Sequence, residues 1–218
     1  MHYIFQPYNY DLSDPNSIPN LFLQHLYLVG ITMLISLIIA IPLGILVVRY
    51  RFLYLPIITI SGLLYTIPSI AAFAILIAFT GLSPATAIIP LVLYNQLVLI
   101  RNTAAALNGI DPVLIEVGRA MGMKPQQVLF RVTLPLALPV IVAGIRIATV
   151  TTVGIAALAA LVGQGGLGSL IFQNIANGDT DAVVAGAILT ALFALVADLL
   201  LLSLQVVLNR GRSAVSVA

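Results

Sequence analysis

The 218-residue sequence has no cysteine and no tryptophan, and its only lysine is Lys124. Without cysteine there are no disulfides, no thiolate metal sites and no cysteine nucleophile. That lone lysine sits between Met123 and Pro125. A P-loop needs Gly-Lys followed by Ser or Thr so that the amine reaches the phosphates, so this chain has none. Charge is scarce as well: nine basic and seven acidic residues in a chain that is 61% hydrophobic. A soluble domain needs more polar side chains than that to cover its surface. The composition therefore specifies an integral membrane protein.

The apolar runs are continuous rather than alternating, which selects helices over the strands of a barrel. A hydrocarbon core needs about 20 apolar residues per helix. Five stretches qualify as spans, at about 26–48, 56–79, 84–100, 136–162 and 182–208. Residues 1–25 lack a basic n-region and are expected as an extracytoplasmic tail rather than a cleavable signal peptide, with the first span as signal anchor. Residues 209–218 are expected as a cytoplasmic tail.

The basic residues orient these spans. Arg49 and Arg51 follow span 1, Arg101, Arg119, Lys124 and Arg131 lie between spans 3 and 4, and Arg210 and Arg212 follow span 5. The positive-inside rule places all of these in the cytoplasm. The predicted fold is an all-α integral membrane protein of five transmembrane helices, N-terminus outside and C-terminus cytoplasmic.

The segment "EVGRAMGMKPQQVLFRVTLP" at 116–135 is unlike the rest, with Glu116, Arg119, Lys124 and Arg131 close together. Asp111 can cap a helix that starts at Pro112. On it Val113, Leu114, Val117, Ala120 and Met121 share one face, and Glu116 and Arg119 another. Gly122 suits its end. A second short helix can begin at Pro125 and run to Pro135, where span 4 starts. The expectation for 101–135 is a cytoplasmic helix–turn–helix along the membrane surface. Such an amphipathic helix lies in the lipid interface or docks on a partner.

Within the spans, polar residues are few. Arg146 and Asp198 each lie about ten residues from the cytoplasmic end of their spans, so at about 1.5 Å per residue they share one depth. An intramembrane ion pair is expected, as a clamp between two helices or as part of a gate. Pro68 in "LLYTIPS" should kink span 2 and free a carbonyl near Thr66. Tyr65, Thr66 and Ser69 beside Pro68, then Tyr94, Asn95 and Gln96 in span 3, and Thr149, Thr151 and Thr152 in span 4, are candidates for lining a pathway. Helix–helix packing is the alternative for each. For Tyr94, Asn95 and Gln96 three consecutive polar groups are hard for one helix to hide.

Other classes fit less well. "GQGGLG" places Gly163, Gly165 and Gly168 in the spacing of a dinucleotide fingerprint, but that fingerprint requires a βαβ unit. Here a tight re-entrant turn is the expectation. His2 and His25 fall at the outer tail and no G-x-S-G occurs, so an intramembrane serine protease is not indicated. An aspartyl protease needs two acids, and Asp198 is the only acid in a span. An ion-coupled secondary transporter for a small organic solute is the alternative function, although no inverted repeat is visible.

The spacing of Glu116, then Gly122 six residues on, then Val132, Leu134 and Pro135, resembles the cytoplasmic "EAA…G…I-LP" loop of ABC importer permeases. Val117 and Gly118 stand where that family usually has Ala-Ala, and Val132 stands for Ile. The stretches "TIPSIAAFAILIAFTGL", "LIRNTAAALNGIDPVLIEVGRAMGM", "LPLALPVIVAGIRIATV" and "LVGQGGLGSLIFQNIANGDTDAVVAGAI" are similar to permeases of osmoprotectant uptake, which carry glycine betaine, carnitine and choline. Methionine-type importer permeases are related. The resemblance implies that residues 26–208 form an ABC-type transmembrane domain in the bacterial cytoplasmic membrane. It also implies that Glu116, Val117, Gly118, Arg119, Ala120, Gly122, Lys124, Leu134 and Pro135 couple to a separate ATPase. ATP and Mg would then be held by that partner, with no cofactor or metal on this chain. Further implied partners are a second permease copy or paralogue, an extracytoplasmic binding protein and membrane lipid, with no nucleic acid. Quaternary amines favour cages rich in Trp. A chain without Trp and with scattered tyrosines is therefore expected to leave tight recognition to the binding protein.

Overall fold

Inside hydrocarbon a backbone can satisfy its own N–H and C=O groups only as a helix or a closed barrel. In the computed structural model, which describes residues 3–213 and side chains as far as Asn209, the described residues form helices throughout. The side chains of His2, Arg210 and Arg212, and the expected tail beyond Ser213, lie outside the described residues.

Helix α1 runs over Ile18–Arg49, with Pro19 in its first turn, where a missing N–H costs nothing. It therefore starts eight residues before the span expected at 26. A 3-10 turn, Arg51–Leu53, leads into α2, Tyr54–Thr66, and after Ile67 and Pro68 the chain resumes as α3, Ser69–Thr80. The axes of the two segments differ by 92°. The kink expected at Pro68 is thus a full break. Proline removes a donor and forces the preceding residue out of the helical region, and Ile67 is extended at ψ 125.

Helix α4, Pro84–Asn108, extends two turns beyond the expected end of span 3. Two short helices follow, α5 (Pro112–Ala120) and α6 (Pro125–Val128). A π-type turn at Leu129–Thr133 then feeds α7, Leu134–Ala157. No break occurs at Pro135: helix continues over Pro125–Val162, 38 residues, so the expected boundary between loop and span 4 does not exist as a turn. Pro135 sits in the first turn of α7, where it interrupts no bond that the wider turn has not already shifted. Beyond a 3-10 turn at Leu158–Val162 lie α8, Gly168–Asn177, and α9, Thr180–Ser213.

Among the described residues, four helices are long and apolar enough to cross a membrane, and the bent α2–α3 pair passes the same test if taken as one span. That pair begins with Tyr54 beside Asn108, at one end of α4. It leads into Pro84 at the other end of α4, in a cavity shared with Gln24 and Gly163. The pair therefore travels the length of the bundle despite its break. Helix α4 is the axis of the fold, packed against α1, α2, α3 and α7, while α9 packs on α7 and α8. The core between α1, α4 and α7 holds Val29, Met33, Leu91, Ile100, Ala148 and Val153, with Phe73 of α3 closing it.

Small residues set how closely these helices approach, as packing rather than hydrophobicity drives association in lipid. A Cβ on Gly44 of α1 would stand 2.6 Å from Cβ of Thr103 on α4. Gly44→Leu should therefore cost about 1–3 kcal/mol, the usual penalty for overpacking. Thermal unfolding in detergent checks it, with Gly30→Leu as control, because a Cβ there meets nothing within 4 Å. Equal melting temperatures for the two variants would refute the close α1–α4 contact.

Candidate functional site

The polar residues sort into a buried centre, an ion pair and an amphipathic arm. At the centre, Tyr94, Asn95 and Gln96 are all buried, contrary to the expectation that one helix could not hide all three. The reason is angular. Successive helical residues point about 100° apart, and α4 is enclosed on several sides, so each finds its own neighbour. Tyr94 donates its hydroxyl to the Ile67 carbonyl, 2.9 Å away, which caps the group freed by the Pro68 break. Its ring meets Tyr65 edge-on with centroids 6.0 Å apart. Asn95 donates to Ser36 Oγ at 3.3 Å and accepts from Thr152 Oγ1 at 3.0 Å, tying α4 to α1 and α7. Gln96 turns back on Val92 O, and its own buried oxygen has no partner.

Of the remaining pathway candidates, Tyr65, Thr66 and Pro68 are exposed and Ser69 is half-buried at the break. The hydroxyl of Thr66 is taken by Leu63 O. Thr149 and Thr151 likewise bond back to Ile145 O and Ile147 O, a turn earlier on their own helix. Asn95 and Thr152 thus make interhelical packing contacts, and the surface of the break carries Tyr65 and Thr66. Sequence reasoning missed Ser36 and Met33, the α1 partners of this network. It also misplaced His25. Because α1 starts at Ile18, His25 lies within the helix and is fully buried, its Nε2 3.1 Å from Val153 O and its ring edge-on to Phe193.

Arg146 of α7 meets Asp198 of α9 as a two-pronged pair, Nε to Oδ1 at 2.8 Å and Nη2 to Oδ2 at 2.9 Å. Its third arm donates to Gln205 Oε1 at 2.8 Å. The planar fork of arginine matches a carboxylate in this way, and lysine cannot. Gln205 lies two turns after Asp198 on one face, a spacing the sequence offered as a signal. The pair is partly open at the bundle surface, with side chains 23% and 27% exposed.

The arm begins as expected. Asp111 accepts from Val113 N at 2.9 Å as the cap of α5, and Gly122 takes a left-handed conformation (φ +79°) that ends it. Its orientation is the reverse of a helix lying apolar face down on its own protein. Ile115 packs against the bundle and buried Gly118 lies against Met123, Val128 and Val132 in the second half of the arm, whereas Val113 (58% exposed), Leu114, Val117, Ala120 and Met121 (72% exposed) are bare. Glu116 is exposed among them, and Arg119 turns into a cleft below the arm. Lys124 N donates to Gln127 Oε1, which starts α6, while Leu134 packs against the bundle and Pro135 is exposed.

At the opposite end the "GQGGLG" stretch forms a tight turn, with Gly163, Gly165 and Gly166 all at positive φ. Gly166 N donates to Gln24 Oε1 and the residue packs against His25, leaving no room for a side chain. A cavity of about 550 Å³ opens beside it, lined by Gln24, Tyr27, Gln164 and Gln173. Neutral carboxamides there contrast with arginines at the arm's end.

Residues 34–213 match the family described as binding-protein-dependent transport system inner membrane component. The chain belongs to that family. It is therefore a permease subunit, a multi-pass protein of the bacterial inner membrane. Among its relatives, the osmoprotectant import permease protein OsmW of Salmonella typhimurium is 42% identical, over 92% of this permease and 96% of that one. The glycine betaine/carnitine/choline transport system permease protein OpuCD of Bacillus subtilis is 44% identical, over 83% and 79%. A solved structure of the MetNI methionine ABC transporter, in inward-facing conformation, superimposes with a TM-score of 0.76 at 26% identity. It covers 85% of this permease and 93% of that chain.

Replacing Asp198 by Asn leaves the permease with an unpaired arginine in a span. On insertion scales that costs about 2.5–3.5 kcal/mol at a helix centre. Asp198→Asn should lower the melting temperature in lipid nanodiscs, and Arg146→Met with Asp198→Leu should recover most of the loss. A single variant as stable as the parent would show the pair to be idle.

Proposed function

We propose that this permease forms the membrane pathway of an ATP-driven importer for small osmoprotectants of the glycine betaine, carnitine and choline kind. The observation that carries the reading is the arm α5–α6: an amphipathic helix with its apolar face bare beside Glu116. A bare apolar face on a helix held to the bundle by Ile115 suits a groove on a partner. The identities of 42% and 44% to permeases named for osmoprotectants support the substrate class.

In this reading α1, the α2–α3 pair, α4, the continuous helix from Pro125 and α9 each cross the membrane. The arginine-rich end faces the cytoplasm, the N-terminal residues face outside and the chain's last helix ends inside. The partner at the arm is an ATPase subunit, which supplies the nucleotide chemistry and its Mg. Glu116, Val117, Ala120 and Gly122 form the contact, while Gly118 packs the two halves of the arm together and Leu134 holds the start of α7 against the bundle. ATP binding would draw two such arms together. Because α6 continues through the π-type turn into α7 as one helix, displacement of the arm passes directly to the span that carries Thr152 and Arg146. A second permease, identical or paralogous, completes the pathway, and a binding protein delivers the solute to the carboxamide-lined cavity by Gly163–Gly166.

An ion-coupled transporter would need an acid within a span that is free to titrate. Both oxygens of Asp198 are engaged by Arg146, so no observation favours that alternative.

Pull-down of the tagged permease from mild detergent, with mass spectrometry of what accompanies it, tests the arm. An ABC ATPase should co-purify, and Glu116→Ala combined with Gly122→Val should cut its recovery at least about tenfold, which corresponds to about 1.4 kcal/mol. Undiminished recovery from the double variant would place the contact elsewhere.

A further inference from the structure

Beneath the arm lies a cleft of about 360 Å³, walled by the end of α1, the end of α4, α5 and α6. Arg49, Arg51 and Arg119 all line it, joined by Asn108, Gln126 and Thr133. These three arginines come from separate parts of the sequence, and the fold brings them to one opening. No carboxylate is among the lining residues, and among the described residues none of the three forms an ion pair. Three like charges gathered around one concavity repel each other unless an anion is present.

The floor of the cleft is apolar, with Ile45, Val48 and Leu107 below the arginines. A second cleft of about 350 Å³, lined by Val48, Arg51 and Asn108 together with Val47 and Tyr54, adjoins it through the three shared residues Val48, Arg51 and Asn108. Next in sequence to Arg49 and Arg51 stand exposed aromatic side chains, Tyr50 and Phe52, the latter 74% exposed on the short turn after α1. Aromatic residues at the end of a span mark the depth of lipid headgroups. The cleft thus offers guanidinium and carboxamide donors at headgroup depth, above an apolar floor that continues toward the hydrocarbon.

We infer that this cleft binds the phosphate headgroup of an anionic phospholipid. Arginine forks would take the phosphate oxygens, Asn108 and Gln126 the glycerol or ester oxygens, and the apolar floor the first methylenes. Basic pockets between spans on the cytoplasmic side recognise such headgroups by this chemistry. A lipid held there would brace α5 and α6 from below while leaving their bare face free. The inference rests on the membrane orientation given above and not on the identity of the solute or of the docking partner.

Native mass spectrometry of the full-length chain in detergent, delipidated and then titrated with phosphatidylglycerol or phosphatidylcholine, is the test. The expected result is one phosphatidylglycerol retained per chain and far weaker retention of phosphatidylcholine. An arginine near the surface contributes about fivefold in affinity for anionic lipid, so Arg49→Gln, Arg51→Gln and Arg119→Gln together should weaken phosphatidylglycerol binding about a hundredfold. Arg119→Gln alone, at an exposed position where folding is not at risk, should weaken it about fivefold. Arg101→Gln with Arg131→Gln, which removes two exposed charges outside the cleft, should leave it unchanged.

Equal losses from the two sets of variants would mean that net charge, not the cleft, holds the lipid, and would overturn the inference. Displacement of the lipid by millimolar inorganic phosphate would reassign the cleft to a soluble phosphate. Displacement by the co-purifying ATPase would make it part of the protein interface, a result separate from whether Glu116 and Gly122 hold that partner.

Discussion

Every polar backbone group inside hydrocarbon has to find its partner within the protein, and this fold is arranged around the few places where a helix cannot provide one. The break at Ile67–Pro68 is the sharpest. There the Ile67 carbonyl is capped by the Tyr94 hydroxyl, so α4 closes the gap that α2 leaves. The turn at Gly163–Gly166 is another, where Gln24 of α1 accepts from Gly166 N. Hydroxyls of Thr149, Thr151 and Thr190 fold back on carbonyls of their own helices and add no unsatisfied donor. Once the backbone is settled, little polarity remains for side chains to carry. Asn95 and Thr152 use theirs to join three helices, and Arg146 and Asp198 use theirs to join α7 to α9.

The two ends of the bundle differ in chemistry, and that difference gives the molecule its direction. One end has arginines, a charged amphipathic arm and an apolar face with nothing on it. The other has a glycine turn and a cavity bordered by neutral carboxamides and Tyr27. Between them run α4, packed against α1, α2, α3 and α7, and the helix from Pro125 to Val162, which links the arm to the far end. A pull on the arm has a rigid element to travel along. The π-type turn at Leu129–Thr133 and the 3-10 turn at Leu158–Val162 are irregularities on that route, and π-type turns are frequent at functional positions in helices.

Much of this was legible in the sequence. Long apolar runs located the long helices, Asp111 and Gly122 bounded α5, and equal depth brought Arg146 to Asp198. What remained hidden had physical causes. A proline announces a break but not its angle, so the 92° turn at Pro68 could not be read. Ser17-Ile18-Pro19 is a helix start that the polar residues Asn20, Gln24 and His25 disguise, and the first span therefore looked eight residues shorter than it is. Burial of Tyr94, Asn95 and Gln96 depends on which helices surround α4, a tertiary fact without a local signature. Helix α5 left a different question open. Its apolar stripe was legible, but a stripe does not say whether its partner is the same chain or another.

The central claim, that this chain is the pathway of an importer powered from its arginine-rich side, is tested most directly by reconstitution. The permease, its co-purified ATPase and the binding protein would be placed in liposomes, and entry of radiolabelled glycine betaine, carnitine and choline measured. The account predicts accumulation of at least one of these only when ATP and Mg are present at the arm side and the binding protein at the other. Accumulation driven by an ion gradient without ATP would contradict it.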